Sequence, residues 1–168
     1  LPARSGQGES RRMLVLTLQT EMPLSEPTVD YGFITSLDVS IRQFDGPSRD
    51  PIGRATITMI HVADAMNRGV GMRNVLDADS EELFQLYEVF FDDEEYLKPE
   101  YANGVGFNVM YFAEIELSVP WRGKRIEEAL VRRVVDTWGE GYAIAVMPVE
   151  HEHEVGRWRE IGFDVPGE

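Results

Sequence analysis

The 168-residue chain contains no cysteine. Disulfides, thiolate nucleophiles and cysteine-ligated metals are therefore excluded, and the core must hold by packing alone. Long apolar runs are missing too: none approaches the roughly 20 residues that a membrane-spanning helix needs. The first residues lack the pattern of a secretory leader, so a cytoplasmic protein is the expectation. The chain starts at Leu1 rather than at a methionine, which reads as a processed or partial chain. Basic residues are scarce. Sixteen Lys and Arg stand against thirty Asp and Glu, a formal net charge of −14. Binders of nucleic acids and of anionic membranes normally present a positive surface, so neither partner is expected. The charge favours solubility, and it is compatible with an acidic mouth that attracts an amine or a basic peptide. Internal repeats and low-complexity tracts are lacking, as are a Gly-x-Ser-x-Gly elbow, a Walker loop and a dinucleotide fingerprint. Gly69-Val70-Gly71 and Gly104-Val105-Gly106 are outside a strand-to-helix setting and read as turns.

What is present should fold. The apolar fraction is 43%, with eight Phe, six Tyr and three Trp, enough for one domain over residues 13–168 to bury a core. Residues 1–12, rich in Ser, Gly and Arg, read as a flexible arm. Leu14 to Leu18 reads as a strand, and 22–31, with Pro23 and Pro27, as a connection. Phe33 to Phe44 alternates Leu37, Val39 and Ile41 with Asp38, Ser40 and Arg42. After a turn at Asp45-Gly46-Pro47-Ser48, Arg54 to Val62 is β-rich, which gives an antiparallel meander of three strands. Ala63 to Gly71 reads as a short helix or a loop. Asp79 is the expected N-cap of a helix over 80–91, with Glu82 in the third helical position. Its apolar face carries Leu83, Tyr87, Phe90 and Phe91, flanked by Leu86. The acidic run Asp92 to Glu95 has the wrong sign for a helix C-terminus and should stop it.

The most informative stretch is residues 107–138. Val109 to Val119 reads as a strand, with Ile115, Leu117 and Val119 on one face and Glu114, Glu116 and Ser118 on the other. Ile126, Ala129, Leu130, Val134 and Trp138 make one helical stripe, while Glu127, Glu128, Arg132, Arg133 and Asp136 point elsewhere. Between strand and helix lies Arg122-Gly123-Lys124-Arg125. Free backbone N–H groups and the positive end of the helix dipole meet in such a turn, which makes it a natural anion site.

At Val119 to Ile126, Val-Pro-Trp-Arg-Gly-Lys-Arg-Ile, the chain resembles the acyl-CoA-binding segment of the GNAT acyltransferases. The family pattern is an apolar strand, an aromatic, then Arg/Gln-x-x-Gly-x-Gly/Ala opening a helix. The resemblance runs from about residue 107 to 163, through a strand at Tyr142 to Val146 and a helix from Glu150 to Phe163 that ends in Gly162-Phe163. Arg122 matches the pattern, whereas Arg125 and Glu127 stand where the family has small residues. The resemblance implies an α+β fold: a mixed, mostly antiparallel sheet with helices on both faces. The order read from the sequence is β-β-β-α-β-α-β-α, in which the clear helix follows the third strand, whereas the family places helices after the first.

The resemblance implies an N-acyltransferase that uses acetyl-CoA or another acyl-CoA, with a small-molecule amine or basic peptide as acceptor. A homodimer is compatible with it. The backbone of Leu117, Ser118 and Val119 would pair with the pantetheine, and Arg122, Gly123, Lys124, Arg125 and Ile126 would hold the phosphates. Cations and a permissive glycine suit that task. A carboxylate at Glu127 favours the helix dipole but competes with phosphate for the same place. Glu114 and Glu116 are the candidate bases for the acceptor's proton. The family's usual acid, a Tyr in the last helix, is replaced by Trp158, whose indole cannot usefully protonate a thiolate. Tyr111 and Tyr142 are candidates by residue type alone. The alternative is a GNAT-like module without catalysis that serves in binding. No metal is expected at His151, His153 and their flanking glutamates, because residues two apart do not share a helix face. His61 reads as structural.

Overall fold

The computed structural model describes residues 13–21, 32–46, 50–102, 106–149 and 151–166. The expected arm over 1–12 and the connection over 22–31 lie outside them. Five strands form one sheet in the order β1-β2-β3-β4-β5: β1 Leu14–Thr20, β2 Ile34–Gln43, β3 Gly53–Ile60, β4 Asn108–Leu117 and β5 Tyr142–Val146. The first four pair antiparallel, and β5 runs parallel to β4. The α+β class and the mostly antiparallel sheet therefore stand.

Two apolar clusters lie on the two faces of the sheet. On one, Leu37, Val39, Ile41, Ala55, Ile57, Met110, Phe112 and Leu117 pack against Ile126, Leu130, Val131, Val134 and Trp158. These last come from α4, Ile126–Trp138, and α5, Glu152–Arg159. On the other, Ile60, Val109 and Tyr111 pack against α1, Val62–Asn67, α2, Met72–Asp79, and α3, Glu81–Phe90. The alternation in β2 explains its orientation: Leu37, Val39 and Ile41 are buried, and Asp38 and Arg42 are exposed. Among the described residues, no helix is long and apolar enough to cross a membrane.

Three helices stand between β3 and β4 where the sequence showed one clearly. Gly69 and Gly71 separate α1 from α2, and α2 buries Met72, Val75 and Leu76. The cap of α3 is Ser80, not Asp79. The Ser80 side chain accepts from the Leu83 N–H at 3.2 Å, while Asp79 is the last residue of α2. The acidic run after α3 does more than end it. Asp92 Oδ1 accepts from the N–H groups of Glu94 and Tyr96, and Glu95 reaches the backbone N–H of Arg73 in the first turn of α2. A carboxylate there complements the helix dipole. Lys98 Nζ donates to the carbonyls of Glu88 and Val89, which supplies the positive charge at the end of α3.

The α4 stripe differs from its expectation at two places. Ala129 is exposed and Val131 is buried, so the packed face is centred one residue further round. Glu128, expected to point to solvent, is 4% exposed. The chain leaving α5 crosses this flank: Arg125 pairs with Glu160, and Arg132 donates to the Glu160 carbonyl. The last helix is shorter than its pattern. It ends at Arg159, and Gly162 takes φ +98 so that the Phe163 N–H can return to the Trp158 carbonyl.

Candidate functional site

Strand β4 is the element around which the candidate site is built. Strand β5 pairs with it only along Asn108 to Tyr111. Beyond that point Phe112–Leu117 has β3 on one side and, among the described residues, no strand on the other. A bulge sits within the same segment. Ile57 pairs with Phe112 and Thr56 with Glu114, so Ala113 is the extra residue. An extra residue reverses the in–out alternation. Met110 and Phe112 face α4 before the bulge, and Ile115 and Leu117 face it after. Glu114 and Glu116 are thereby turned to the opposite, exposed face. There Glu114 pairs with Thr56 and Thr56 with Asp38, while Glu116 pairs with Arg54.

The strand ends at Leu117, two residues before the expected limit. The Ser118 N–H and hydroxyl both donate to the Ile52 carbonyl, at 2.8 and 2.9 Å. Pro120 has no N–H to continue a ladder, and a 3-10 turn forms over Val119–Trp121. Val119, expected on the apolar face, is 73% exposed. In the turn that follows, Arg122 Nε donates to the Leu117 carbonyl at 2.9 Å. Gly123 has φ +68, and a Cβ there would meet nothing within 4 Å. Lys124 Nζ lies 4.9 Å from the centroid of the Trp121 ring, a cation–π contact. Arg125 sits at φ 59, ψ 28, the left-handed conformation that glycine adopts without strain. No side chain of Arg125 caps α4, so the first-turn N–H groups of that helix have no partner from it.

A cavity of ≈410 Å³ opens between the unpaired half of β4, this turn and α5. From β4 come Ile115, Glu116 and Leu117; from the turn and α4, Arg122, Gly123 and Glu127; from the α5 side, His151, Glu154 and Arg157. Four expected site residues thus meet here: Glu116, Leu117, Arg122 and Gly123. Ser118, Val119, Lys124, Arg125 and Ile126 do not line the cavity. Ile126 is a core residue, 8% exposed, and Arg125 is drawn off to Glu160 at 2.7 Å and Glu128 at 3.6 Å. Glu127 takes the position where the sequence put a competitor for phosphate. Arg157 was not singled out from the sequence. It lies more than thirty residues from the turn, and no local pattern links the two.

A larger groove, ≈1130 Å³, follows the free edge of β5. Tyr111 and Glu82 line it, and the Tyr111 hydroxyl donates to Glu82 Oε1. Burial, then the hydrogen bond and charge of Glu82, hold the Tyr111 hydroxyl well above the usual phenol range. Burial also raises Tyr142. The groove is lined mainly by apolar side chains, whereas the smaller cavity brings Arg122 and Arg157 together with the glycine turn and three carboxylates, Glu116, Glu127 and Glu154. Trp158 is 3% exposed, edge-to-face with Phe163 at 6.0 Å, and serves packing. His61 Nε2 is 3.0 Å from Thr35 Oγ1. His151 and His153 differ from expectation: their rings stack at 5.4 Å, because His151 is extended and precedes α5 rather than lying within it. Among the described residues, no group of three or more His, Asp and Glu is placed to hold a metal.

Comparison of the chain with protein-family models, with curated proteins and with solved structures gave no match.

Proposed function

We propose that this chain is a GNAT-like N-acyltransferase that transfers an acyl group, acetyl in the simplest case, from CoA to a primary amine. The observation that carries the reading is the unpaired edge of Phe112–Leu117 ending beside the Arg122–Arg125 turn. A strand with free N–H and C=O groups suits an extended amide chain such as pantetheine, which would add to it as a further strand. The cavity at its end offers the guanidinium groups of Arg122 and Arg157 beside the N–H groups of a helix start, donors of the kind that a pyrophosphate requires. In this reading the ligand pairs with residues 112–116, because the Leu117 carbonyl is taken by Arg122 Nε, Ser118 bonds to Ile52 and Val119 opens the 3-10 turn.

The acceptor would lie on the face carrying Asp38, Glu114 and Glu116. Acyl transfer to an ammonium needs one proton removed before the amine attacks the thioester carbon. Glu114 and Glu116 are exposed to take it, directly or through water. The C–S bond then breaks, and the second amine proton passes to the departing CoA thiolate, directly or through water, leaving a neutral amide. Two observations favour the alternative, a binding module without catalysis: Glu127 intrudes on the cavity, and Trp158 stands where the family's acid would be.

The test is calorimetric titration of acetyl-CoA and free CoA into the protein and into Arg122→Ala, followed by an amine screen read by thiol release. Micromolar binding weakened by the substitution is the expected result. No heat at millimolar ligand would overturn the proposal. Tight binding with no thiol release for any amine would select the binding module.

A further inference from the structure

Two residues that line the cavity, Glu127 and Arg157, each carry a buried polar atom without a hydrogen bond. Glu127 Oε2 and Arg157 Nε are both inaccessible and without a hydrogen-bond partner. The Glu127 side chain is 13% exposed, and its Oε2 lies 4.0 Å from Arg157 Nη1, at the outer limit of an ion pair. Arg157 Nη2 is 3.6 Å from Glu154 Oε1, again beyond hydrogen-bond reach. A guanidinium has five N–H donors in a fixed fork, and a buried one normally satisfies them bidentately. Arg157, whose side chain is 34% exposed, holds both carboxylates only at these long distances and lies 4.8 Å over the Trp158 ring, and its Nε is left without a hydrogen bond. Glu127 is also drawn to its position by the dipole of α4, so it sits between the helix start and Arg157.

We infer that Arg157 is an anion-binding residue of this cavity, and that Glu127 is a built-in carboxylate which an anionic ligand must displace from it. A phosphate group is the fitting class: it is tetrahedral, carries more charge than a carboxylate, and can accept from Arg157, from Arg122 and from the N–H of Gly123 together. The carboxylate would rotate out to solvent as the phosphate enters. The cavity would then hold weak anions poorly and multiply charged ones well. This rests on the reading of the cavity as the phosphate end of an acyl-CoA site, and it adds to that reading a residue from α5 and a competitor from α4.

The probes are inorganic pyrophosphate and acetyl-CoA, titrated into the full chain and into Glu127→Gln, Arg157→Gln and the double variant, with melting curves confirming that each folds. Glu127→Gln should tighten pyrophosphate about tenfold and Arg157→Gln weaken it about tenfold, the scale of one charge at ion-pair distance. Arg157→Gln should cost more in the Glu127→Gln background, where the guanidinium is not shared with a carboxylate. Arg157→Lys, which keeps the charge but loses the fork, should fall between and stands in if the Gln variant does not fold. If pyrophosphate follows this order and acetyl-CoA gives no heat, the anion site stands and the acyltransferase reading falls. If acetyl-CoA binds, is weakened by Arg122→Ala and is indifferent to both Glu127→Gln and Arg157→Gln, the inference is overturned and the acyltransferase reading stands. Binding of neither probe to any variant overturns both.

Discussion

Replacing Arg125 by glycine should change stability in opposite directions depending on residue 128. Arg125 holds the left-handed conformation at φ 59, which costs a non-glycine residue about 1 kcal/mol. Glycine removes that strain. It also removes two ion pairs of unequal weight. The pair with Glu160 is 61% and 62% exposed at its two side chains and is worth at most about 0.5 kcal/mol. The pair with Glu128 involves a carboxylate whose side chain is 6% exposed, with Oε1 3.6 Å from Arg125 Nε and Oε2 making no hydrogen bond. Leaving that charge without its cation costs about 2 kcal/mol, below the usual figure for a buried pair because Arg125 itself is solvated. Arg125→Gly alone should therefore lose about 1.5 kcal/mol. In a Glu128→Gln background the same change should gain about 0.5 kcal/mol, because only the strain relief and the exposed pair remain. Urea unfolding at pH 7 on the four members of the cycle measures this, provided the m-values agree. Loss of equal size in both backgrounds would mean that Arg125 does not hold Glu128. Gain of equal size in both would mean that the Glu128 pair adds nothing to stability.

Gly106→Ala should lose about 2–4 kcal/mol in thermal or urea unfolding, because its Cβ would lie 2.0 Å from the Gly141 carbonyl, a backbone atom that cannot move without separating β4 from β5. Ser80→Ala should cost about 1 kcal/mol and Asp79→Ala much less, which distinguishes the two cap assignments. Above about pH 10 stability should fall, because Tyr87, Tyr111 and Tyr142 keep their protons in the folded state after the unfolded chain has lost them; that stabilisation is complete below the unfolded value and is lost as pH rises. Tyr111→Phe should make this alkaline decline shallower. Deleting Ala113 should leave unfolding cooperative, because Glu114 would then follow Phe112 directly with the pairing to Thr56 and Ile57 kept and Ile115 and Leu117 still packed; loss of cooperativity in that variant would refute the assignment of Ala113 as the extra residue.

The sequence carried the elements whose signals are local. Alternation marked β2, the helical stripe marked α4 from Ile126 to Trp138, and the basic turn stood out against the acidic background. Helix α2 was not read because its eight residues bury only Met72, Val75 and Leu76 and its start is completed from outside by Glu95. Val119 was misplaced for a similar reason: period-2 alternation continued past Leu117, but Ser118 bonds to Ile52, more than sixty residues away. The cap of α3 moved by one residue because Asp79 and Ser80 are both good caps, and only the packing of α2 against α3 selects between them. Of the residues expected at the site, Glu116, Leu117, Arg122 and Gly123 line the candidate cavity, whereas Glu114, Lys124 and Arg125 do not. Arg157 was not legible, since its approach to Glu127 depends on how α5 crosses α4.

The bulge at Ala113 and the early end of β5 act on the same strand and have to be considered together. The bulge turns Glu114 and Glu116 away from α4, so one face of β4 beyond it is acidic and open. The end of β5 at Val146 frees the strand's edge along the same residues, and the turn at its end is basic. Six residues of β4 thus separate two regions of opposite charge, with an unpaired backbone edge between them. Across a molecule of net charge −14, a cationic amine is attracted to the acidic face over distances up to the Debye length. On the acyltransferase reading an anionic cofactor would meet general repulsion and would be held through Arg122 and Arg157, beside which Glu116, Glu127 and Glu154 also line the cavity. On the acyltransferase reading, raising the salt concentration should therefore raise KM for the amine while changing affinity for the cofactor less, because its contacts lie partly buried and are screened less. Initial rates at two ionic strengths decide this, and a salt response confined to the cofactor would refute the charge division across β4.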